Sequence, residues 1–537
     1  MDNFDTIIVG AGSAGCVLAD KLSAAGLSVL LLEAGGSDLR FWIKLPIGYG
    51  RLFYDETLNW AYQTEPCASL NGRSLYWPRG KVVGGSSSIN ALVYYRGLPH
   101  DYDDWQSMGA AGWSWNDVRP VFEANERRMS ESGMRIGSGP LSVSRIDADA
   151  HPLKERYFQA ARELQLPLTT DMVTEPEGAG LYQITTRHGF RCSAADAFLR
   201  PALKRSLVKL ETDAMATRVL FEGKRAIGIE YRRYGHLFQA RARKDVILSG
   251  GAVNSPQLLQ LSGIGPGALL QSHGIATLID NAHVGANLQD HLAVTYYYKS
   301  KVPTLNDELN SLWGQFKAAA YYVLTRRGTL SLSVNQCGGF VRSSPAAKRT
   351  DMQLYFNPIT YPSPKPGEVR RIDPDPFSGF ILSFQPCRPT SRGTITIRDG
   401  GIDTPPRIEP NYLSTDQDIQ EAIAGGRLLQ RLEAAPAIKS IIQETIPPVL
   451  GGMNDEALLA DFRARCSTVF HPTSTCRMGA SAADAVVDNR GRVFGLDGLR
   501  VVDASIFPTV TSGNTNAATI MTARKMGDMI VADAKAQ

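Results

Sequence analysis

The sequence predicts an α/β protein with more than one domain. The chain has 537 residues, and a single hydrophobic core seldom serves more than about 250–300 residues. At the N-terminus a buried strand, a glycine-rich turn, a helix and a second buried strand follow one another, and runs with strand character recur between residues 352 and 397. We therefore expect two domains, or one large composite body, that contain both helices and sheets.

The composition is that of an ordinary globular protein. Hydrophobic residues make up 43% and charged residues 20% of the chain, and the formal net charge is +4. These values exclude a mainly disordered, collagen-like or coiled-coil chain, and the weak charge gives no reason to expect nucleic-acid binding. The seven cysteines include no CxxC pair, which argues against a disulfide framework and favours a reducing, cytoplasmic compartment.

The N-terminal unit has the order and spacing of a dinucleotide-binding βαβ motif. Residues 6–9 (TIIV) and 28–32 (SVLLL) are apolar runs suited to strands buried on both faces, and residues 16–22 have helical spacing. The glycine loop GAGSAG occupies residues 10–15, and Glu33 ends the second strand. This combination predicts dinucleotide binding and a Rossmann-like fold, and it leaves NAD and FAD open.

Each glycine of the loop has its own role in such a unit. Gly10 permits the tight turn, Gly12 leaves room for a pyrophosphate, and Gly15 lets the helix pack closely on the strand. The first N–H groups of the helix and its dipole favour the phosphates. The carboxylate of Glu33 can accept hydrogen bonds from both ribose hydroxyls, and the alternative role for it is an exposed helix cap.

Four further blocks resemble the signatures of the glucose-methanol-choline (GMC) oxidoreductases. They are GKVVGGSSSIN at 80–90 followed by YYRG at 94–97, GAVNSPQLLQLSGIG at 251–265, FHPTSTCRMG at 470–479, and VDAS at 502–505 with NTNA at 514–517. The resemblance runs from residue 5 to about residue 530 and is strongest to choline-dehydrogenase-like and sorbose-dehydrogenase-like alcohol dehydrogenases.

The resemblance implies that the cofactor is FAD. It assigns the cofactor site to Gly10, Gly12, Ser13, Ala14, Gly15, Glu33, Ala34, Val83, Gly85, Ser86, Asn90, Ala91, Val93, Val219, Asp503, Ala504 and Thr515. Val219 matches a position that gives backbone contacts to adenine. Asp503 matches an acid near the ribityl chain or the phosphates, and by pattern alone it is equally an N-cap.

The flavin is expected to be held without a covalent bond. Several members of the family tether it through a histidine one residue before the position of Asn90, and Ile89 stands there in this chain. An isoleucine side chain offers no nucleophile for such a bond.

The resemblance also selects the catalytic residues. Alcohol oxidation needs a base that removes the hydroxyl proton while a hydride passes to flavin N5, and histidine suits that task. None of the eight histidines shows metal-ligand spacing, so no metal site is predicted. The family motifs single out His471 as the base, with Asn514 as the second polar residue, which can hold the alcohol oxygen or a flavin edge.

Three departures from the family pattern lie near these residues. Ser474 stands where glycine is usual, so the turn beside His471 is expected to change. Residues 282–287 (AHVGAN) replace a more usual PGVGEN, so that loop is expected to run differently. Asp290 and His291, which follow this loop, match the family pattern, and we interpret them as a structural pair in the FAD-binding domain.

Pattern and resemblance together predict a discontinuous layout. Residues 1–150, 191–295 and 462–537 would form the Rossmann-like FAD-binding domain. Residues 151–190 and 296–461 would form an α+β substrate domain built on an antiparallel sheet, with strands near 352–356, 379–384 and 393–397. The Pro-rich residues 361–376 are either a lid over the substrate channel or a disordered connector.

The predicted location is cytoplasmic, with peripheral contact to an inner membrane left open. We expect no signal peptide, because residues 1–5 are acidic and the glycine motif starts at residue 10, and we expect no membrane span. Residues 312–324 (LWGQFKAAAYYVL) predict either a helix that lies on a membrane or, as the favoured interpretation, a buried helix of the second domain.

The leading functional hypothesis is an FAD-dependent alcohol dehydrogenase. It would oxidise a small, primary alcohol to an aldehyde and pass electrons to a quinone or another non-oxygen acceptor. An alcohol oxidase that reduces O2 to H2O2 is the nearest alternative, and a flavin-containing lyase or a photodecarboxylase is more remote. A non-enzymatic binding protein that keeps flavin for stability is the alternative of another class. The sequence leaves the oligomeric state open.

Overall fold

The predicted N-terminal unit forms the centre of a seven-stranded sheet in the computed structural model, which describes residues 3–362 and 373–536. The strands lie in the order Val208–Glu211, Val29–Leu32, Asn3–Val9, His236–Leu248, Arg225–Arg233 and Ala214–Glu222, with Leu499–Val501 paired to His236–Leu248. The pairings among the first four strands, and that of Leu499–Val501, are parallel, whereas the other two strands are antiparallel. This mixed sheet confirms the predicted α/β class.

Helices cover this first sheet because its central strands are apolar on both faces. The helix Ser13–Ala24 begins directly after the glycine loop and packs against the C-terminal helix Asn516–Ala536.

The remaining α-helices are distributed over both halves of the molecule. They are Phe41–Lys44, Tyr49–Leu52, Pro99–Ser107, Trp115–Asn125, Lys154–Glu163, Arg200–Ala202, Gly251–Leu261, Gly267–Ser272, Leu305–Asn310, Leu312–Thr325, Asp416–Ala434, Pro436–Lys439 and Asp455–Arg465.

A second seven-stranded sheet confirms the predicted antiparallel sheet. Its order is Ile442–Ile446, Leu292–Ser300, Gly379–Pro386, Met352–Asn357, Cys337–Val341 and Gly178–Leu181, with Ser467–Thr468 paired to Leu292–Ser300. All its pairings are antiparallel. The helix Asp416–Ala434 packs on it, and Gly425 lies so close that an added Cβ would be 2.2 Å from the ring of Phe384.

Short strands join the loops around the two sheets. They are Tyr62–Gln63, Tyr76–Trp77, Val93–Tyr94, Glu126–Met129, Arg135–Ile136, Leu141–Ser142, Gln183–Ile184, Thr186–Arg187, Phe190–Arg191, Ile264–Gly265, Ile279–Asp280, Thr394–Thr396 and Arg407–Glu409. The run predicted near 393–397 therefore is a strand, but it pairs with Arg407–Glu409 outside the large sheet. The domain boundaries stay a prediction, and so does the role of the Pro-rich segment, because residues 363–372 lie outside the described residues.

The favoured interpretation of residues 312–324 is wrong in one respect. The helix Leu312–Thr325 forms, but within it only Gly314, Ala318 and Tyr322 are buried. Most of its large apolar side chains face outward. Along the described parts of the chain no helix is both long and apolar enough to cross a bilayer. The seven cysteines are free and buried.

Candidate active site

A cavity of about 800 Å³ lies at the carboxyl ends of the parallel strands of the first sheet and reaches the second sheet. Val9, Leu32 and Leu248 line it from the ends of three of those strands, while Thr295 and Ser383 line it from the antiparallel sheet. Ligands of open α/β sheets bind at this edge. The position therefore favours a large ligand that spans both halves of the molecule.

Most of the residues that the sequence assigned to a cofactor line this one cavity. They are Gly10, Gly12, Ser13, Ala14, Glu33, Ala34, Gly85, Ser86, Asn90, Ala91, Val93, Asp503, Ala504 and Thr515, together with the two catalytic candidates His471 and Asn514. Gly15, Val83 and Val219 are not among the lining residues. The backbone N–H of Val219 is donated to Ser262 Oγ at 3.0 Å, so its contact with adenine stays a prediction.

The glycine loop has the geometry that its pattern predicted. Gly10 has φ +101°, which favours glycine, and an added Cβ at Gly15 would lie 1.9 Å from the carbonyl oxygen of Gly10. Gly15 thus serves the packing of helix on strand. Gly12 has room on its cavity side, because the nearest heavy atom to an added Cβ is Gly85 Cα at 3.9 Å.

Glu33 lines the cavity, and both of its carboxylate oxygens accept backbone hydrogen bonds. Oε2 accepts the N–H of Ala11 and Oε1 accepts the N–H of Gly35, each at 2.9 Å. Burial raises the pKa of Glu33 to about 7, although these two N–H groups oppose the shift. The carboxylate is fixed by the backbone at the end of its strand and is not an exposed helix cap.

The 80–90 block approaches the glycine loop closely. Gly85 has φ +53°, and a Cβ there would lie 2.7 Å from Gly12 Cα. Asn90 Oδ1 accepts Arg191 Nη1 at 2.8 Å, which holds this side chain at the cavity wall. Ile89 also lines the cavity. Backbone without side chains thus surrounds the space where a pyrophosphate would pass.

Asp503 fulfils the alternative role that its pattern allowed and also lines the cavity. Its Oδ1 accepts the N–H of Ser505 at 2.8 Å as the N-cap of a short 3-10 helix. Its Oδ2 accepts the N–H of Gly251 at 2.8 Å and the hydroxyl of Ser255 at 2.6 Å. Burial raises the pKa of this carboxyl. Its role toward the cofactor stays a prediction.

His471 and Asn514 meet at the cavity although 43 positions separate them in the chain. The Nδ2 of Asn514 lies 3.2 Å from the Nε2 of His471, and both residues line the cavity. The backbone N–H of His471 is donated to Asp290 Oδ1 at 2.7 Å, which anchors the loop. Asn514 Oδ1 is buried without a hydrogen-bond partner. Such an orphaned acceptor indicates a bound group, so this site fits a cofactor or substrate.

A second histidine fixes the proton on the ring of His471. His291 Nε2 lies 2.8 Å from the carbonyl oxygen of Cys387, and His291 Nδ1 lies 3.1 Å from His471 Nδ1. A carbonyl oxygen only accepts, so His291 carries its proton on Nε2 and accepts the proton of His471 at Nδ1. His471 Nε2 is then an unprotonated acceptor that receives the Asn514 N–H.

The electrostatics keep both rings neutral. Burial, then the neighbouring His291 and the cation of Arg79, hold the pKa of His471 well below its ordinary value of 6.5. Burial lowers the pKa of His291 to about 4, against the effect of its bond to the Cys387 carbonyl. A neutral His471 at physiological pH has an unprotonated Nε2 and can act as a base once a substrate hydroxyl replaces the Asn514 N–H there.

The turn beside His471 has a left-handed residue at the serine, and whether it differs from the turn of relatives with glycine stays a prediction. Ser474 has φ +76°, in the region that favours glycine. The replaced 282–287 loop packs on this turn, because Gly285 donates its N–H to the Thr475 carbonyl at 2.8 Å and Asn287 Nδ2 lies 3.5 Å from the Ser474 carbonyl. The buried Ser474 hydroxyl lies 2.9 Å from that of Thr473.

Family comparisons agree with this geometry. GMC oxidoreductase patterns match residues 4–293 and 389–523, which together are most of the chain. The chain belongs to the GMC oxidoreductase family. Family membership confirms the predicted FAD cofactor, and the cavity, the glycine loop and the orphaned Asn514 oxygen fit it.

Individual relatives match this chain over nearly its whole length. It is 42% identical to an alcohol dehydrogenase (acceptor) of Pseudomonas putida, over 98% of this chain and 96% of the relative. It is 40% identical to an oxygen-dependent choline dehydrogenase of Photobacterium profundum, over 98% and 93%. Among solved structures, pyridoxine 4-oxidase from Mesorbium loti matches with a TM-score of 0.86 and 29% identity over 98% of both chains.

The contribution of His291 to this GMC site was missed by the sequence interpretation. Asp290 is the structural residue predicted, since its Oδ2 accepts Tyr412 Oη at 2.6 Å and its Oδ1 accepts the His471 N–H. Its neighbour His291 instead contacts the ring of His471. In the described ranges 3–362 and 373–536, no group of three or more His, Cys, Asp and Glu side chains is arranged to hold a metal.

Proposed function

We propose that this enzyme oxidises a primary alcohol to an aldehyde with FAD, with His471 as the general base, and passes the electrons to a quinone or another non-oxygen acceptor. The observation that carries the proposal is the unprotonated Nε2 of His471, which faces Asn514 at the cavity that holds the predicted cofactor residues. Similarity over the full chain to an alcohol dehydrogenase (acceptor) supports the same reaction class.

The protein residues have separate tasks in this reaction. Bound FAD supplies the acceptor for the hydride that leaves the carbinol carbon. A substrate hydroxyl that donates to His471 Nε2 replaces the Asn514 N–H there, and that N–H is then free to bind the alcohol oxygen. The proton passes to Nε2 while His291 keeps the ring in place through Nδ1. The two side chains together hold the oxygen and remove its proton.

The substrate half of the cavity is largely apolar. Leu309, Leu330, Val334, Ile359 and Ile381 are among the lining residues that come from outside the predicted cofactor set. Apolar walls favour an uncharged alcohol with a hydrocarbon or aromatic tail, because burial of that tail contributes most of the binding free energy. We therefore propose a fairly apolar primary alcohol as the substrate class.

Oxygen as the electron acceptor is the second candidate. The match to pyridoxine 4-oxidase and to an oxygen-dependent choline dehydrogenase favours it. The oxidation of the alcohol to the aldehyde is the same in both cases, and only the reoxidation of the flavin differs. The rate at which oxygen or a quinone reoxidises the flavin therefore distinguishes the two functions.

An anaerobic titration tests the proposal. Purified holoenzyme is mixed without oxygen with a series of primary alcohols from ethanol to octanol and with benzyl alcohol, and the visible flavin band is followed. We expect the longer and aromatic alcohols to bleach it at lower concentration. Rapid return of the colour in air would favour the oxidase, and slow return with rapid quinone reduction would favour the dehydrogenase. A flavoprotein that no alcohol, polyol or amino alcohol bleaches would contradict the proposal.

We further propose that FAD is held without a covalent bond. Ile89 lines the cavity where several relatives carry the tethering histidine. Acid precipitation of the holoenzyme is expected to leave the flavin in the supernatant. Flavin that stays with the precipitated chain would contradict this assignment.

A further inference from the structure

The helix Leu312–Thr325 presents an apolar face to solvent. Leu312 is 85%, Trp313 65%, Phe316 62%, Val323 61% and Leu324 83% exposed. Exposed apolar side chains scattered singly are ordinary, but a set of this size on one helix marks a surface that another phase or molecule covers.

The spacing of the buried residues shows which side of the helix is exposed. The buried residues Gly314, Ala318 and Tyr322 recur at a spacing of four and form the side packed on the protein. The opposite side therefore holds the exposed apolar residues. Lys317 is the charged residue on it, and its Nζ lies 5.6 Å from the centre of the Trp313 ring. A lysine of this kind can extend its ammonium group along an apolar surface to reach polar surroundings.

A second exposed apolar segment also contributes lining residues to the cavity. Leu39 is 74% and Phe41 68% exposed. Phe41 and Trp42 line the cavity from this segment, and the exposed Gln315 and Ala319 line it from the helix. We call residues 39–42 and 312–324 together the mouth surface, because both segments border the opening of the active-site cavity.

The charged side chains within the mouth surface are cations, namely Arg40 and Lys317. Arg51 and Arg326 flank it as further cations and lie over the rings of Trp42 and Tyr322. Two other flanking cations are paired with carboxylates, Lys44 with Asp38 and Asp196 and Arg327 with Asp149. Apolar side chains bordered by cations are complementary to the surface of an anionic bilayer, where the apolar groups enter the acyl boundary and the cations meet the headgroups.

We propose that the mouth surface docks this enzyme on the surface of an anionic phospholipid bilayer. A second copy of the chain is a poorer occupant, because a symmetric contact would bring the same cations of both copies together. A bilayer covers a convex helix face without shape complementarity and needs no buried polar partner. The enzyme would then lie on the membrane with its cavity open toward the lipid.

Docking has a consequence for catalysis that rests on the proposed function. Apolar alcohols and quinones concentrate in the acyl region of a bilayer. With the mouth surface on the membrane, such molecules reach the cavity past Phe41, Trp42 and Ala319 without crossing water. The docking itself does not depend on this step, and it is tested without turnover.

Flotation with vesicles tests the docking. Holoenzyme is mixed with vesicles of phosphatidylcholine alone or of phosphatidylcholine with phosphatidylglycerol, and the floated protein is measured. We expect flotation with the anionic vesicles, decreased by salt. In the triple variant F316S/V323S/L324S the partition coefficient should fall by more than about tenfold, because three apolar side chains no longer enter the lipid. None of these three residues lines the cavity, so flavin content and oxidation of a water-soluble alcohol should persist.

A matched control uses exposed apolar residues elsewhere. Tyr234 and Leu237 are 71% and 64% exposed on the hairpin between Arg225–Arg233 and His236–Leu248. The variant Y234S/L237S should float like the parent protein. Equal flotation of the F316S triple variant and the parent would overturn the proposal. It would also be overturned if the parent failed to float with anionic vesicles, or if sedimentation showed a dimer that the triple variant alone dissociates.

Discussion

His471 combines two properties that a general base needs, and they come from different neighbours. Its hydrogen bond with His291 leaves Nε2 without a proton, and burial keeps the ring neutral. Asn514 lies within hydrogen-bonding distance of that Nε2, and we propose that it holds the alcohol oxygen. The site at the residue scale is thus a short directed chain of hydrogen bonds, from an amide to an imidazole, to a second imidazole and to a carbonyl.

Removal of the base should abolish most of the turnover. In His471→Ala we expect kcat to fall by about 10²–10⁴-fold, the usual contribution of a general base, with FAD still bound. Stopped-flow bleaching of the flavin by substrate measures the loss. His236→Ala, at an exposed histidine on the hairpin, is the control and should react like the parent. Full activity of H471A would exclude its role as the base.

The pH dependence follows from the lowered pKa of His471. The base works when it is neutral, so kcat/KM should rise with pH through this pKa and then stay constant. Because the pKa lies well below 6.5, the plateau should already be reached near neutral pH, with the decline on the acidic side. A plot of kcat/KM against pH checks this, and a decline that begins above pH 6.5 would contradict the burial argument.

His291 is predicted to act as a positioning residue. Leucine at this place leaves the Nδ1 proton of His471 buried without an acceptor, which typically costs about 1–3 kcal/mol. We expect His291→Leu to lower kcat by roughly tenfold to a hundredfold with little change in KM. In His291→Asn an amide oxygen can accept the same proton, so it should retain more activity. Equal losses in both variants would indicate a packing role only.

At the scale of elements, the glycine loop has two separable roles, ligand binding and helix packing. Gly12 faces the cavity and has space beside it, whereas Gly15 is pressed against the Gly10 carbonyl. The same residue type therefore serves ligand binding at one position and helix packing at the other. The turn of Ser474 is a related case, since the surrounding loops hold the left-handed conformation without glycine.

Substitution of Gly12 or Gly15 by alanine should separate these two roles. Gly12→Ala is expected to leave the melting temperature of the apoprotein nearly unchanged and to weaken FAD binding, because its methyl group enters the cavity. Gly15→Ala is expected to destabilise the fold by roughly 1–3 kcal/mol, because its methyl group overlaps the Gly10 carbonyl. Calorimetric melting and fluorescence titration with FAD measure the two effects. The reverse pattern would mean that the pyrophosphate does not pass beside Gly12.

At the scale of the whole molecule, the cavity lies between the two large sheets. Its walls come from the parallel strand ends near Val9 and from antiparallel strands near Thr295 and Ser383. A ligand that fills about 800 Å³ at this junction contacts both halves. The cofactor therefore contributes to the stability of the entire chain as well as to its chemistry.

FAD removal should lower the thermal stability. A ligand present at a thousandfold excess over its Kd stabilises the native state by about 4 kcal/mol, so the apoprotein should melt at a clearly lower temperature. Scanning calorimetry before and after reconstitution measures the difference. Riboflavin, which lacks the pyrophosphate and adenosine, is the control and should restore little. Identical melting of apoprotein and holoenzyme would contradict a cavity built around the cofactor.

The sequence predicted the parts of this molecule that depend on neighbours along the chain. The βαβ unit was found because strand, loop and helix lie within residues 3–32. His291 was assigned only a structural role because its contact with His471 spans 180 positions, which no local pattern records. The helix Leu312–Thr325 was predicted as an element, but apolar residues occur all around it, and such a helix usually is buried. Which side meets solvent is decided by packing.

The hydrogen-bond chain behind His471 is closed at its far end. Along the described residues it passes to His291 and stops at the Cys387 carbonyl, which cannot carry a proton onward. If His471 takes the proton of the alcohol as proposed, that proton has no exit through this chain and must leave Nε2 on the cavity side. The recovery of the base is therefore expected to depend on the same opening as the exchange of alcohol and aldehyde.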